Sequence, residues 1–362
     1  MTNKTVKELR EIAKERGLKG YSKFKKDELI ELLREATEQE KFEKTIPEDV
    51  ELIVYKDQDN WLETRKLGIG GSDVAGILGE SKYKSAIDVW NDKVNGSDFK
   101  GNRFTHWGHM LEEVVAKEFD TKHKDFIVFE FNKTFKKGRS LANVDRLLYD
   151  PLKNEYGVLE IKTANFFGGK EWNGETVPQE YYCQVQHYLA VTGLKYAWIA
   201  CLVGGNDYKE FRIERNDEEC EYILQTCEDF WNNYIETKLA PPLDGTENYT
   251  EYQKKQFEFL QDEEADIPDL DDKVEKYKEI QSKIKELEKE AELIKQELTQ
   301  ELIENGANKA KSENHSIKII YQNRSSVDKK LFESSYPELV KEYKEKEKEF
   351  KVEKTNSFIK IQ

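Results

Sequence analysis

The sequence predicts an α/β fold: a mixed sheet flanked by helices, preceded by a small helical unit and followed by a helix-plus-strands extension. Three observations predict it. Between Trp61 and about Leu243, short apolar or alternating runs interleave with segments of helical periodicity, as in a sheet covered by helices. Ahead of that region, residues 4–36 hold two amphipathic runs separated by glycines. Beyond Asp244 the chain turns rich in Lys and Glu. The expected divisions are 1–36, an acidic linker at 37–60, a globular core at 61–245 and an extension at 246–362.

In the first unit Val6, Leu9, Ile12 and Ala13 have helical spacing, Gly17 and Gly20 break the chain, and Leu29, Ile30, Leu32 and Leu33 resume the period. Lys19, Lys23, Lys25 and Lys26 gather at the second break. Residues 37–58 are acidic and lack periodicity, which predicts a loosely packed arm.

In the core, Ile127–Phe131, Leu141–Tyr149, Gly157–Ile161 and Tyr196–Val203 read as strands. Helical periodicity marks Asp73–Leu78, Ala86–Val94, Met110–Phe119, Gln179–Thr192 and Glu218–Leu239. In the extension, Tyr277, Ile280, Ile284, Leu287, Ala291, Ile294 and Leu298 alternate in steps of three and four. That stripe fits a surface helix, a helical hairpin or a self-pairing coiled coil. Gly306 ends it, and Ser316–Tyr321, a helix over Pro337–Phe350 and a terminal strand at Ser357–Ile361 follow.

Composition narrows the function classes. No apolar run approaches the length of a membrane helix, and the N-terminus lacks an apolar signal core, so a cytoplasmic protein is expected. Cys183, Cys201, Cys220 and Cys227 include no C-x-x-C pair, which argues against a zinc ribbon or a disulfide framework. The net charge of −15 argues against phosphate binding if spread evenly. Much of the acidity, however, lies in 38–59 and 262–304.

The chemistry concentrates at Asp145 and Glu160-Ile161-Lys162. Side chains two apart on a strand share a face, so Glu160 and Lys162 project together while Leu159 and Ile161 face the core. Asp150, Pro151 and Asn154 mark a turn that would fold Asp145 back beside Glu160. Two such carboxylates disfavour joint ionisation unless a cation sits between them. Oxygen-only ligands select a hard ion, Mg2+ or Mn2+. An E-x-K alone is more often a surface ion pair, and the neighbouring segments shift the balance.

The arrangement resembles the PD-(D/E)xK nuclease superfamily, and within it the YqaJ and lambda-exonuclease family of phage recombination nucleases. Gly108-His109-Met110-Leu111-Glu112 is similar to the family's G-x-x-x-E helix. Gln184-Val185-Gln186-His187-Tyr188 is similar to its Q-x-x-x-Y helix. Trp61 through Asp73, with Arg65, Gly70, Gly71 and Ser72, also has the family's look, and the resemblance covers roughly 61–362.

It implies a restriction-endonuclease-like core with Glu112, Asp145, Glu160, Lys162 and Gln184 as catalytic positions. Glu112, Asp145, Glu160 and Ile161 would form a Mg2+ site, where Mn2+ can substitute. Arg65 and Ser72 would receive a 5′-terminal phosphate, with Ser72 also capping its helix. The implied activity is 5′→3′ digestion of linear double-stranded DNA in phage-type recombination. Its partners would be a single-strand annealing protein and other copies of the chain in a trimer. An endonuclease on the same site and a non-catalytic DNA-end-binding protein are the alternative readings. Residues 1–36 resemble SAP and Rho N-terminal units, which implies that Lys19, Lys23, Lys25 and Lys26 touch DNA.

Overall fold

Thr5 starts the first helix, α1 (Val6–Glu15): its hydroxyl accepts from the Glu8 amide, and the Glu8 carboxylate accepts from the Thr5 amide. Gly17 and Gly20, both at positive φ, turn the chain into α2 (Lys26–Glu43). Leu9, Ala13, Leu29 and Leu33 form a small core of their own. α2 outruns the predicted unit, because Phe42 near its end is buried against Phe129, Phe131, Phe135 and Tyr156. The expected loose linker is therefore structured in part. Its β1 (Glu51–Val54) pairs with a lysine-rich strand, Lys133–Lys137. Glu43, Asp49 and Glu51 bind Lys133, Lys137 and Lys136. What reads as a run of unsatisfied acids is one half of an ionic seam.

This is a computed structural model, which describes residues 1–55, 58–97, 101–257, 260, 264–321, 326 and 328–350. It divides into two compact units, Met1–Lys255 and Gln256–Gln362. After β1 come α3 (Gln58–Thr64), β2 (Ile69–Gly70), α4 (Gly71–Leu78), α5 (Ala86–Val94) and α6 (Arg103–Lys122). Next are β3 (Ile127–Phe129), β4 (Lys133–Lys137), β5 (Ser140–Ala142), β6 (Arg146–Asp150) and β7 (Glu155–Ala164). Then follow α7 (Gln179–Thr192), β8 (Tyr196–Val203), β9 (Asp207–Glu214), α8 (Asp217–Phe230) and α9 (Glu247–Gln256). Past α8 the chain makes a π-helical turn, Trp231–Ile235, so regular helix stops short of the predicted Leu239.

Five strands form one mixed sheet, β3-β6-β7-β8-β9, in which only β7 and β8 run parallel, joined by α7. A second sheet has the order β1-β4-β5-β2. The predicted strand Leu141–Tyr149 is two strands, β5 in the second sheet and β6 in the first, with Asn143–Asp145 crossing between them. The apolar residues on both sides of it, Leu141-Ala142 and Leu147-Leu148, conceal that crossing, because both pieces are buried.

α6 covers one face of the five-stranded sheet, setting Val115, Ala116 and Phe119 on Leu159, Ile161 and Ala200. α7 covers the other face and also touches β4 and β5. Every residue of α7 from Cys183 to Thr192 is buried, so its polar side chains must find partners inside. α4, α5, α8 and α9 share a third cluster that includes Tyr249, which carries the first unit past the predicted boundary at 245. Tyr249 donates its hydroxyl to the Pro241 carbonyl there, 2.9 Å away.

The second unit holds α10 (Leu270–Glu304), a hairpin of β10 (Lys309–Lys311) and β11 (Ser316–Lys318), α11 (Lys329–Ser335) and α12 (Pro337–Glu347). α10 begins ahead of the apolar stripe that predicted it. The expected strand at 357–361 lies outside the described residues. Cys183, Cys201, Cys220 and Cys227 are buried and unpaired. Among the described residues, no helix is long and apolar enough to cross a membrane.

Candidate active site

β6 and β7 form an antiparallel pair with Arg146 opposite Leu159, and continuing that register sets Asp145 opposite Glu160. Asp145 lies in the crossing between sheets, where its side chain is free to turn inward. Its Oδ2 accepts from the Ile161 backbone N–H at 2.7 Å. Glu160 is 2 % exposed, because α7 lies over the face on which its side chain projects. The Lys162 ammonium donates to Glu160 Oε1 at 2.5 Å, and the Gln184 amide donates to the same oxygen at 2.7 Å. The other carboxylate oxygen, Oε2, is buried with no hydrogen-bond partner among the described residues.

The electrostatics follow from this crowding. Burial, reinforced by the charge of Glu160, pushes the Asp145 carboxyl well above the usual carboxylate range. Burial works against the Lys162 ammonium, but Glu160 and Asp145 outweigh it and raise its pKa. Lys162 also lies 5.1 Å above the Tyr181 ring. The buried Glu160, with its unsatisfied oxygen, and the half-buried Asp145 form a donor set of hard oxygens short of positive charge.

Gln184 also donates to the Tyr188 hydroxyl at 2.7 Å, one helical turn along α7. Glu112 is placed differently. On α6 its carboxylate is held by Arg146 at 2.8 Å, and the same guanidinium binds Glu113 and approaches Glu130. Among the described residues no three potential metal-ligating acids, cysteines or histidines are gathered together. Asp145, Glu160, Lys162, Gln184 and the Ile161 backbone thus converge, while Glu112 stands beside them on Arg146.

Arg65 and Ser72 meet as a pair: the Arg65 guanidinium donates to Ser72 Oγ at 3.2 Å and stacks 5.0 Å from the Trp61 ring centre. Trp61 in turn donates to Asn143 in the crossing that carries Asp145, at 3.3 Å. Ser72 is not the helix cap. Gly70 occupies that position, and its N–H is taken by the Asp73 carboxylate at 3.1 Å. Ser72 is thereby left exposed on the first turn of α4. Gly71 brings that turn against the site: a Cβ there would stand 2.5 Å from the Tyr188 ring and 3.0 Å from Gln184.

Sequence reasoning gave no role to the charges beneath this turn. Asp73, 1 % exposed, binds Lys84 at 2.8 Å and Lys93 at 3.0 Å, and Lys93 also donates to the Arg65 carbonyl at 2.7 Å. Burial alone would raise the Asp73 carboxyl, yet Lys93 and Lys84 hold it far below the usual range. The network fixes the backbone on both sides of the Arg65–Ser72 pair. No motif carries that signal, since Lys93 sits on a different helix. Lys19, Lys23 and Lys25 are exposed and Lys26 is half-buried, and none of the four is in an ion pair among the described residues.

Residues 60–195 match the family described as the YqaJ-like viral recombinase domain, and residues 1–41 match the Rho termination factor N-terminal domain. An uncharacterised protein, YqaJ, of Bacillus subtilis is 34 % identical over 257 residues, spanning 68 % of this chain and 78 % of that protein. Among solved structures, an alkaline exonuclease from Laribacter hongkongensis superposes with a TM-score of 0.44 at 20 % identity. It covers 55 % of this chain and 100 % of its own. A phage-related exonuclease from Haemophilus somnus 129PT gives 0.38 at 15 % identity, over 49 % and 99 %. With the matched domain spanning the glycine turn, Asp145, Glu160-Ile161-Lys162 and α7, the chain belongs to the YqaJ-like viral recombinase family.

Proposed function

We propose that the chain is a Mg2+-dependent exonuclease that digests linear double-stranded DNA from 5′-phosphorylated ends, 5′→3′, in phage-type recombination. The observation that carries this reading is the carboxylate pair of half-buried Asp145 and buried Glu160, with Glu160 Oε2 unpartnered among the described residues and the Lys162 ammonium beside it. Asp145, Glu160 and the Ile161 carbonyl would hold the cation, with Glu112 the remaining carboxylate of the set. When bound, Mg2+ supplies a Lewis acid that activates water and takes up charge developing on the phosphate.

The chain's own groups do the rest. Lys162, beside Glu160, would position the attacking water or hold a phosphate oxygen. Gln184 holds Glu160 Oε1 in place, and Tyr188 holds Gln184. Arg65 and Ser72, with the first turn of α4 behind them, would take the terminal phosphate through a forked guanidinium, a hydroxyl and backbone N–H groups. The exposed lysines of the first unit would add contacts to the DNA backbone. A single-strand annealing protein is the expected partner, with the chain assembled as a trimer.

Digestion of 5′-phosphorylated, 5′-hydroxyl and closed circular duplexes, each with Mg2+ or EDTA, tests the reading. The expected result is mononucleotide release from linear DNA with Mg2+ only, fastest from 5′-phosphate ends. Arg65→Ala should abolish the preference for 5′-phosphate while sparing slow digestion of 5′-hydroxyl ends. Discrete fragments from circles would point to an endonuclease, and binding of ends without cleavage to a non-catalytic protein.

A further inference from the structure

α10 runs 35 residues, about 52 Å at 1.5 Å per residue, and buries only Leu302. Its apolar side chains lie open along one seam: Tyr277 is 45 % exposed, Ile284 41 %, Leu287 63 % and Ile294 57 %. A helix of this length draws most of its stability from packing a face, and here that face has no cover within the chain's described residues. The seam has a strict heptad order. Tyr277, Ile284, Ala291 and Leu298 fall at one core position, a, and Ile280, Leu287 and Ile294 at the other, d.

The flanking charges identify the occupant. With that heptad, Lys283 and Glu290 stand at the g positions, and Glu288 and Lys295 at the e positions. When two copies align parallel and in register, each g residue meets the e residue five positions further along the other helix. Lys283 then faces Glu288 and Glu290 faces Lys295, both attractive and both repeated at every interface between neighbouring helices of the assembly. Among these four, Lys295 has a partner in the single chain, the exposed Glu292 at 3.0 Å, and such a surface pair exchanges at little cost. An antiparallel pairing would set Glu288 near its own copy, like charge against like.

We infer that α10 is a self-association element: its 277–298 seam pairs, parallel and in register, with the same segment of another copy of this chain. This goes beyond the nuclease reading and does not depend on it. An oligomer joined here would present several nuclease units together, tethered through their second units.

The test is the mass of the full-length protein in solution, by light scattering and sedimentation, for wild type and charge variants. Wild type should self-associate. Lys283→Glu, which sets like charges together in the parallel register, should weaken association at least tenfold, and adding Glu288→Lys should restore it. Because both changes are exposed, unaltered circular dichroism separates lost pairing from lost folding. Leu287→Cys should give a disulfide-linked pair on mild oxidation, since only the parallel register brings that d position against itself. A monomeric wild type, an oligomer indifferent to Ile284→Asp with Ile294→Asp, or rescue of Lys283→Glu by Glu290→Lys in place of Glu288→Lys would each overturn the proposal.

Discussion

Lys162→Met should lower Mg2+-dependent nucleotide release by about 10²–10³-fold, the usual effect of removing one charged stabiliser from a reaction centre. The substitution keeps the volume of the stem and removes only the ammonium. KM for DNA should change little, because the contact proposed for this group is with the reacting phosphate and not with the length of the duplex. Lys162→Arg should not restore the rate. A planar fork cannot occupy the point contact at Glu160 Oε1, 2.5 Å away, without displacing the Gln184 amide from the same oxygen. Single-turnover digestion checks the rate, and circular dichroism checks that the variant is folded. A Lys162→Met protein with wild-type turnover would remove this residue from the chemistry.

The second large effect concerns stability. Without a cation, desolvation and the neighbouring Glu160 raise the pKa of half-buried Asp145 in the folded chain. A raised carboxyl contributes stability that is fully present below its unfolded pKa and is lost as pH rises through its folded value. The cation-free protein should therefore melt at falling temperature as pH climbs beyond the ordinary carboxylate range. Mg2+ should reverse that loss, by about 2.7 kcal/mol at a hundredfold excess over its Kd. Asp145→Asn should abolish the Mg2+ effect and flatten the pH dependence, without lowering the melting temperature of the cation-free protein. Calorimetric scans across pH, with Mg2+ or EDTA, read all three. An equal Mg2+ shift in Asp145→Asn would place the cation elsewhere.

The fold was legible wherever one period dominates. α5, α7 and β8 have the bounds that their apolar spacing predicts, since each meets a single packed environment along its length. β1 and β4 were not legible, because Glu51, Lys133, Lys136 and Lys137 interrupt the apolar pattern that marks a strand. The charges of β1 and β4 are satisfied by residues distant in sequence, as Lys133 is by Glu43 and Lys136 by Glu51.

The site divides in the same way. The pairing of Glu160 with Lys162 follows from the two-residue period of a strand, and that of Gln184 with Tyr188 from one helical turn. The hold of Arg146 on Glu112 joins a strand to a helix across the sheet, and the bond from Asp73 to Lys93 joins two helices. Contacts of that kind have no sequence interval to betray them. The crossing at Asn143–Asp145 is hidden for another reason: Val144 at its middle is buried like the strands on either side, so the run carries no turn signal.

The central claim is that Asp145 and Glu160 hold a divalent cation next to Lys162. Crystals soaked in Mn2+ and measured at its absorption edge test it most directly. The expected result is an anomalous peak in contact with Asp145, Glu160 Oε2 and the Ile161 carbonyl, absent in Asp145→Asn. A Mn2+-saturated crystal with no peak there, or with its peak only at other carboxylates, would contradict it.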